Sequence, residues 1–247
     1  MNSHGHIGAR SLPLTGSGGT EAIILAGGLG TRLRSVVADI PKCMAPVAGK
    51  PFLQYVMEYL IGQGIQKFIF SLGYKHEMIR SWLKVQYPEQ LIKISLEEEP
   101  LGTGGAILLA CTQTTEKTVV VVNGDTMFTV DISTLAEFHE NHNADCTLSL
   151  KPMTNFDRYG VVELREDLSV ASFNEKQHFS SGLINGGVYV LNVPNFLKEG
   201  MPAKFSFEKD YLESYVNKRK FFGLVQDKYF IDIGVPEDYD RAGRELK

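Results

Sequence analysis

Residues 25–51 read LAGGLGTRLRSVVADIPKCMAPVAGKP, with Gly27, Gly28 and Gly30 following an apolar run and preceding Arg32 and Lys42. Glycine has no Cβ, so a turn built from it lets backbone N–H groups come close to an anion. Arg32 and Lys42 add positive charge beside that turn, and the combination points to a phosphate cradle. Two common phosphate loops are excluded by spelling. GxxxxGK[ST] fails because Pro51 follows Gly49-Lys50, and GxGxxG fails because Leu33 stands at the third glycine.

Further along, VVNGDTMFTVD puts Asp125 just past a strongly apolar run. Open α/β sheets gather ligands at the carboxyl ends of their strands, where an Asp side chain suits Mg²⁺. Gly-Asp after a strand is equally an ordinary turn. The segment EEEPLGTGGA, residues 97–106, joins Glu97, Glu98, Glu99 and Pro100 to a glycine cluster that opens a helix, a pattern also compatible with a charged turn and N-cap. His76, His139, His142 and His178 lack catalytic partner spacing; His139 and His142, three apart, read as a surface face of a helix, and Trp82 reads as core. Cys43, Cys111 and Cys146 are far apart without CxxC spacing, which suggests neither zinc nor disulfides and fits a reducing cytoplasm.

The elements that must position these groups alternate short apolar runs with amphipathic segments, the pattern of parallel strands joined by crossover helices. Strands are expected at Ala22 to Ala26, Lys67 to Ser71, Ile92 to Leu96 and Thr118 to Asn123, the last central and buried on both faces. Helices are expected from Phe52 to Gln63, where apolar residues recur at helical spacing after Pro51, and around Gly104 to Ala110. Beyond Thr147 the texture shifts to β segments, at Thr147 to Leu150, Gly160 to Leu164 and Gly187 to Leu191, with helices at Phe207 to Val216 and Pro236 to Leu246. The expected fold is an α/β, Rossmann-like layered arrangement. A mixed, mostly parallel sheet is flanked by helices, and a smaller β-rich portion holds the second substrate.

With 247 residues, 43% hydrophobic and 22% charged, the chain suits one folded domain over residues 21–247. Residues 1–20, MNSHGHIGARSLPLTGSGGT, lack periodicity and read as an added flexible leader, so His4 and His6 are not metal ligands. A net charge of −4 argues against nucleic-acid binding. No apolar stretch approaches the roughly 20 residues of a membrane helix, so no membrane partner is expected.

The glycine-rich segment resembles the signature of the sugar-1-phosphate nucleotidylyltransferases, and similarity extends over nearly all of residues 21–247. EEEPLGTGGAI, NFDRYGVV, LINGGVYVL, KFSFEKDYL and YFIDIGVPEDY carry it further. Ser35-Val36-Val37 and Cys43 depart from the usual spelling but leave the Gly, Arg and Lys positions in place. The resemblance implies that Leu25, Ala26, Gly27, Gly28, Gly30, Thr31, Arg32, Glu97, Gly102, Thr103, Asn123 and Gly124 bind the nucleotide. It makes Arg32, Lys42 and Asp125 catalytic, with Arg32 on the triphosphate and Lys42 on the sugar phosphate. Asp125 is paired with Asp232 as the Mg²⁺ ligands. Gly160, Glu175, Lys176 and Asn185, with Lys42, are the implied sugar-phosphate contacts.

The implied reaction moves GMP from GTP to D-glycero-α-D-manno-heptose 1-phosphate and releases pyrophosphate, in a bacterial cytoplasm, with room for a homo-oligomer. GTP is favoured because a carboxylate such as Glu97 accepts hydrogen bonds from guanine N1–H and N2–H but faces the acceptor oxygens of uracil. The alternatives are a transferase using mannose 1-phosphate or UTP, and a non-catalytic nucleotide-sugar sensor. Retention of Arg32, Lys42, Asp125 and Asp232 disfavours the sensor.

Overall fold

The computed structural model describes residues 21–28, 33, 39–174 and 176–246. The first half runs β1 (Glu21–Leu25), β2 (Pro46–Val47), β3 (Lys50–Pro51), α1 (Phe52–Gly62), β4 (Lys67–Leu72), α2 (His76–Gln86), β5 (Ile92–Leu96), α3 (Gly102–Cys111) and β6 (Thr118–Asn123). The second continues with β7 (Thr126–Phe128), α4 (Ile132–Asn141), β8 (Cys146–Phe156), β9 (Val161–Leu164), β10 (Val170–Asn174), β11 (Phe179–Asn192), α5 (Val193–Leu197), β12 (Phe221–Val225), β13 (Phe230–Asp232) and α6 (Pro236–Glu245).

Strands β5, β4, β1 and β6 lie side by side, all parallel. Because β1 has a later strand on each side, the chain turns in opposite directions from its two edges, and a crevice opens at the carboxyl ends there. β6 is indeed central and buried, between β1 and the antiparallel β11. Its apolar side chains divide between two cores. Val120 and Val122 face the layer holding α1, with Phe52, Val56 and Leu60, while Val119 and Val121 face Ile107 of α3 and the aromatic side chains Phe196, Phe207 and Tyr211.

Beyond β6 the sheet forks. Long β11 pairs with β6 through Val188–Asn192, with β8 along most of its length, and at Ile184 with β9, while β12 adds to the far side of β8 in parallel. β8 and β11 are thus much longer than the segments expected from sequence. The expected segment stopped at Leu150, before Pro152, but β8 runs on: its pairing with β12 ends at Leu150, so Pro152 sits where β8 has a free edge and its missing N–H breaks no ladder. The expected helix at Phe207 to Val216 begins instead with a π-wound turn, Phe207–Glu213, which buries Phe207, Tyr211 and Leu212 together. His139 corrects another expectation: it is buried at 3% exposure, with its Nδ1 3.0 Å from Thr147 Oγ1, because that face of α4 packs on β8. His142 stacks on Phe138. Trp82 packs at the edge of the core against Tyr87. All three cysteines are free and buried.

Candidate active site

The carboxyl ends of β5, β4, β1 and β6 open into a cleft of about 760 Å³. Leu25, Gly27, Gly28, Glu97, Gly102, Thr103 and Asn123 line it together with Asp125. Ala26 and Gly124 adjoin these residues without lining the cleft: Ala26 N–H donates to Ser71 O at 2.9 Å and Gly124 N–H to Leu25 O at 2.9 Å, tying the three strand ends together. Strand order puts Glu97, past β5, and Asp125, past β6, on opposite sides of this cleft.

On the β5 side, Glu97 is held from two directions. Ser71 Oγ donates to its Oε1 at 3.2 Å and the Leu101 backbone N–H to its Oε2 at 3.0 Å. A carboxylate has about four acceptor positions, so lone pairs remain for a ligand. Gly27 lies directly against it, since a Cβ at that position would stand 2.7 Å from Glu97 Oε1. Glu98 and Glu99 also line the cleft but are more exposed. Glu97 receives the N–H of Leu101, the residue preceding α3, but no side chain caps the helix, so the N-cap reading of this segment does not hold.

On the β6 side, Lys42, Asp125 and Asp232 meet, although 83 and 190 positions separate Lys42 from its two partners. Lys42 Nζ donates to Asp125 Oδ2 at 2.7 Å and to Asp232 Oδ1 at 3.1 Å, with its side chain only 12% exposed. Three local structures create this meeting. Lys42 opens a short 3₁₀ turn behind Pro41, anchored by buried Cys43 and Met44. Asp125 follows β6, and the β7–β13 ribbon sets Asp232 opposite Thr126, with Ile233 N–H donating to Asp125 O at 3.2 Å. Burial opposes the Lys42 charge, but the Asp125 and Asp232 carboxylates outweigh it, so its pKa is raised. Burial pushes the neighbouring Cys43 thiol up to about 12, which keeps it protonated and unreactive.

Two carboxylates already sharing a positive charge form a hard-oxygen donor pair that fits Mg²⁺, whose remaining positions phosphate and water oxygens ordinarily complete. Among the described residues no cluster of three or more His, Cys, Asp or Glu forms a closed protein cage.

The implied sugar contacts lie elsewhere. Gly160 passes close to β10, since a Cβ there would be 2.5 Å from Asn174 O, and Lys176 is exposed. Asn185 is committed at both ends: its Nδ2 donates to Tyr189 Oη at 2.8 Å and its Oδ1 accepts from Gly187 N–H at 3.1 Å. Gly187, at φ +72°, turns the strand so closely over Asn123 that a Cβ would sit 2.5 Å from its Nδ2. Gly30, Thr31, Arg32 and Glu175 lie outside the described residues.

The cleft also contains groups that the sequence reading did not single out as contacts: Ser71, Gly73, Tyr74, His76 and Glu208. Glu208 arrives from the π-wound turn and accepts from Thr103 Oγ1 at 2.7 Å. Its segment, KFSFEKDYL, carried the family resemblance, but nothing local tied it to this cleft. Among the described residues no helix is long and apolar enough to cross a membrane.

Comparison with known proteins agrees with this geometry. Residues 21–247 match the family described as nucleotidyl transferase. The chain is 53% identical over 227 residues to a D-glycero-alpha-D-manno-heptose 1-phosphate guanylyltransferase of Aneurinibacillus thermoaerophilus, covering 92% of this chain and 98% of that one. It is 48% identical over 219 residues to the protein of the same name from Campylobacter jejuni subsp. jejuni, covering 89% and 96%. The crystal structure of HddC from Yersinia pseudotuberculosis complexed with GMP-PN superposes with a TM-score of 0.82 at 40% identity, covering 92% of this chain and 99% of that one.

Proposed function

The chain belongs to the nucleotidyl transferase family, and from that premise we propose that it transfers GMP from GTP to D-glycero-α-D-manno-heptose 1-phosphate, giving GDP-D-glycero-α-D-manno-heptose and pyrophosphate. The relatives bearing that activity in their names, 53% and 48% identical over nearly their whole length, support the substrate pair. The observation that carries the chemistry is the cleft itself. A cation and two carboxylates stand on one side, and a fixed carboxylate stands on the other.

In the reaction, an oxygen of the sugar phosphate attacks the α-phosphorus of GTP. That P–O bond forms as the bond from the α-phosphorus to the β-phosphate oxygen breaks, and pyrophosphate departs with the electron pair. Both partners are anions, so holding them in line and neutralising them is most of the catalytic task. Lys42 supplies positive charge to the incoming sugar phosphate, and Arg32 is assigned to the triphosphate on the family resemblance. Gly27 and Gly28 let the backbone approach the phosphates at the end of β1. Glu97, oriented by Ser71 and Leu101, accepts from guanine N1–H and N2–H.

Asp125 and Asp232 would hold Mg²⁺, which when bound neutralises phosphate oxygens. Gly160, Glu175, Lys176 and Asn185 in the β-rich half form the sugar side, with Tyr189 fixing the Asn185 amide. The product would serve nucleotide-sugar supply for a bacterial surface polysaccharide, made in the cytoplasm.

Pyrophosphate release by purified protein, with GTP or UTP against the heptose phosphate or mannose 1-phosphate in the presence of Mg²⁺, tests the assignment. GTP with the α-configured heptose phosphate should give the highest kcat/KM. Mannose 1-phosphate should be weaker by a few kcal/mol at most, because it leaves polar groups for the side arm unpaired. A clear preference for mannose 1-phosphate, or equal use of UTP, overturns it.

A further inference from the structure

Lys42 Nζ stands in the space between the Asp125 and Asp232 carboxylates, donating to an oxygen of each at 2.7 and 3.1 Å. The backbone closes in on this pair, for a Cβ on Gly234 would be 2.9 Å from Asp232 Oδ1 and 3.1 Å from Lys42 Nζ. A divalent ion held by these two carboxylates would draw on the same oxygens that the ammonium now occupies. Two like charges brought so close would repel strongly in a partly desolvated site. We propose that Lys42 is the resident counter-ion of the two-carboxylate site, and that the metal-bearing nucleotide displaces it and so delivers its ammonium to the sugar phosphate.

This inference rests on the reading of Asp125 and Asp232 as the metal carboxylates. It adds a function to each state of one lysine. Before substrate arrives, the ammonium holds together two carboxylates that would otherwise repel, so the donor pair brought together by the β7–β13 ribbon stays assembled. When the ion enters, the flexible four-carbon stem of Lys42 lets the charge swing away without moving the backbone of its 3₁₀ turn. Nucleotide binding thereby creates the free cation that the second substrate needs, which favours metal nucleotide before sugar phosphate. Free metal ions, without phosphate oxygens to add ligands, must compete with the lysine and bind weakly.

The test measures Mn²⁺ binding to nucleotide-free protein, by the loss of the free-ion electron paramagnetic resonance signal, in wild type and in Lys42→Met. Removing the internal competitor should tighten Mn²⁺ binding by about tenfold, even as transferase activity is lost. Lys42→Gln, neutral but still able to donate a hydrogen bond, should shift the same way and serves if the methionine variant does not fold. Equal or weaker Mn²⁺ binding by a folded Lys42 variant overturns the displacement. Adding Asp232→Asn to the Lys42 variant separates this from failure of the underlying reading. Loss of the gained affinity places the ion on the carboxylate pair and supports displacement. Unchanged affinity means the ion binds elsewhere and refutes both.

Discussion

Replacing Gly27 by alanine should damage use of the nucleotide while leaving the fold nearly intact. The added Cβ would meet Glu97 Oε1 at 2.7 Å and Gly73 N at 3.1 Å, whereas ordinary contact begins at 3.4 Å, so the carboxylate must retreat by about 0.7 Å. Glu97 is the end of a flexible side chain, and its retreat is cheap for stability, with only a few tenths of an ångström asked of the Gly73 backbone. The melting temperature should therefore change little. Function is less tolerant, because the retreat loosens the bond from Ser71 Oγ, already 3.2 Å, and turns the acceptor away from where the base would lie. Displacements approaching 1 Å in a positioned group cost about a hundredfold in rate. A loss of about ten- to a hundredfold in kcat/KM for GTP is expected, or about 1.4 to 2.8 kcal/mol of transition-state stabilisation. Steady-state pyrophosphate release with GTP and with UTP measures it, and the GTP preference should narrow. Wild-type kcat/KM for GTP in the folded variant, or an equal fractional loss with both nucleotides, would refute the coupling of Gly27 to the base through Glu97.

Glu97→Gln should narrow the GTP-over-UTP preference, because the amide presents a donor where the carboxylate only accepts; an unaltered ratio of kcat/KM values removes Glu97 from base selection. Asp125→Asn and Arg32→Ala should each lower turnover about a hundredfold or more at saturating Mg²⁺, with circular dichroism unchanged, and wild-type turnover in either strikes that residue from the catalytic set. Burial lowers the buried His139 pKa to about 4 from an ordinary 6.5, Asp145 opposing only in part. Below pH 6.5 the unfolded chain binds a proton that the folded chain refuses, so stability should fall as pH drops from 6.5 toward 4, by up to about 3 kcal/mol. Urea unfolding across that range should show a shallower fall in His139→Gln, and identical slopes would argue against this origin.

Much of the first half of the fold was legible in the sequence because its signals are local. A strand with four successive valines flanked by polar residues reads as buried whatever surrounds it, and β6 is found at Thr118–Asn123 as expected. Glycines after a strand signal a tight turn through backbone sterics alone, and Gly27 and Gly28 do line the cleft at the end of β1. The acidic run before α3 likewise named its own region, although only tertiary packing distinguished Glu97, gripped by Ser71 and Leu101, from exposed Glu98 and Glu99.

The remainder depended on contacts between distant segments. The strand expected at Thr147 to Leu150 runs on through Pro152 to Phe156 because its edge is free at that point. His139 looked exposed by spacing, yet the packing of α4 on β8 buries it. Glu208 gave no sign of facing the cleft, since its place beside Thr103 comes from the π-wound turn lying over α3. The meeting of Lys42 with Asp125 and Asp232 is the clearest case. Resemblance paired Asp125 with Asp232 and gave Lys42 a separate role, while the register of β7 against β13 and the 3₁₀ turn after Pro41 brought all three charges within hydrogen-bonding distance. Coulomb attraction acts over ångströms in space, and only the folded chain sets those distances.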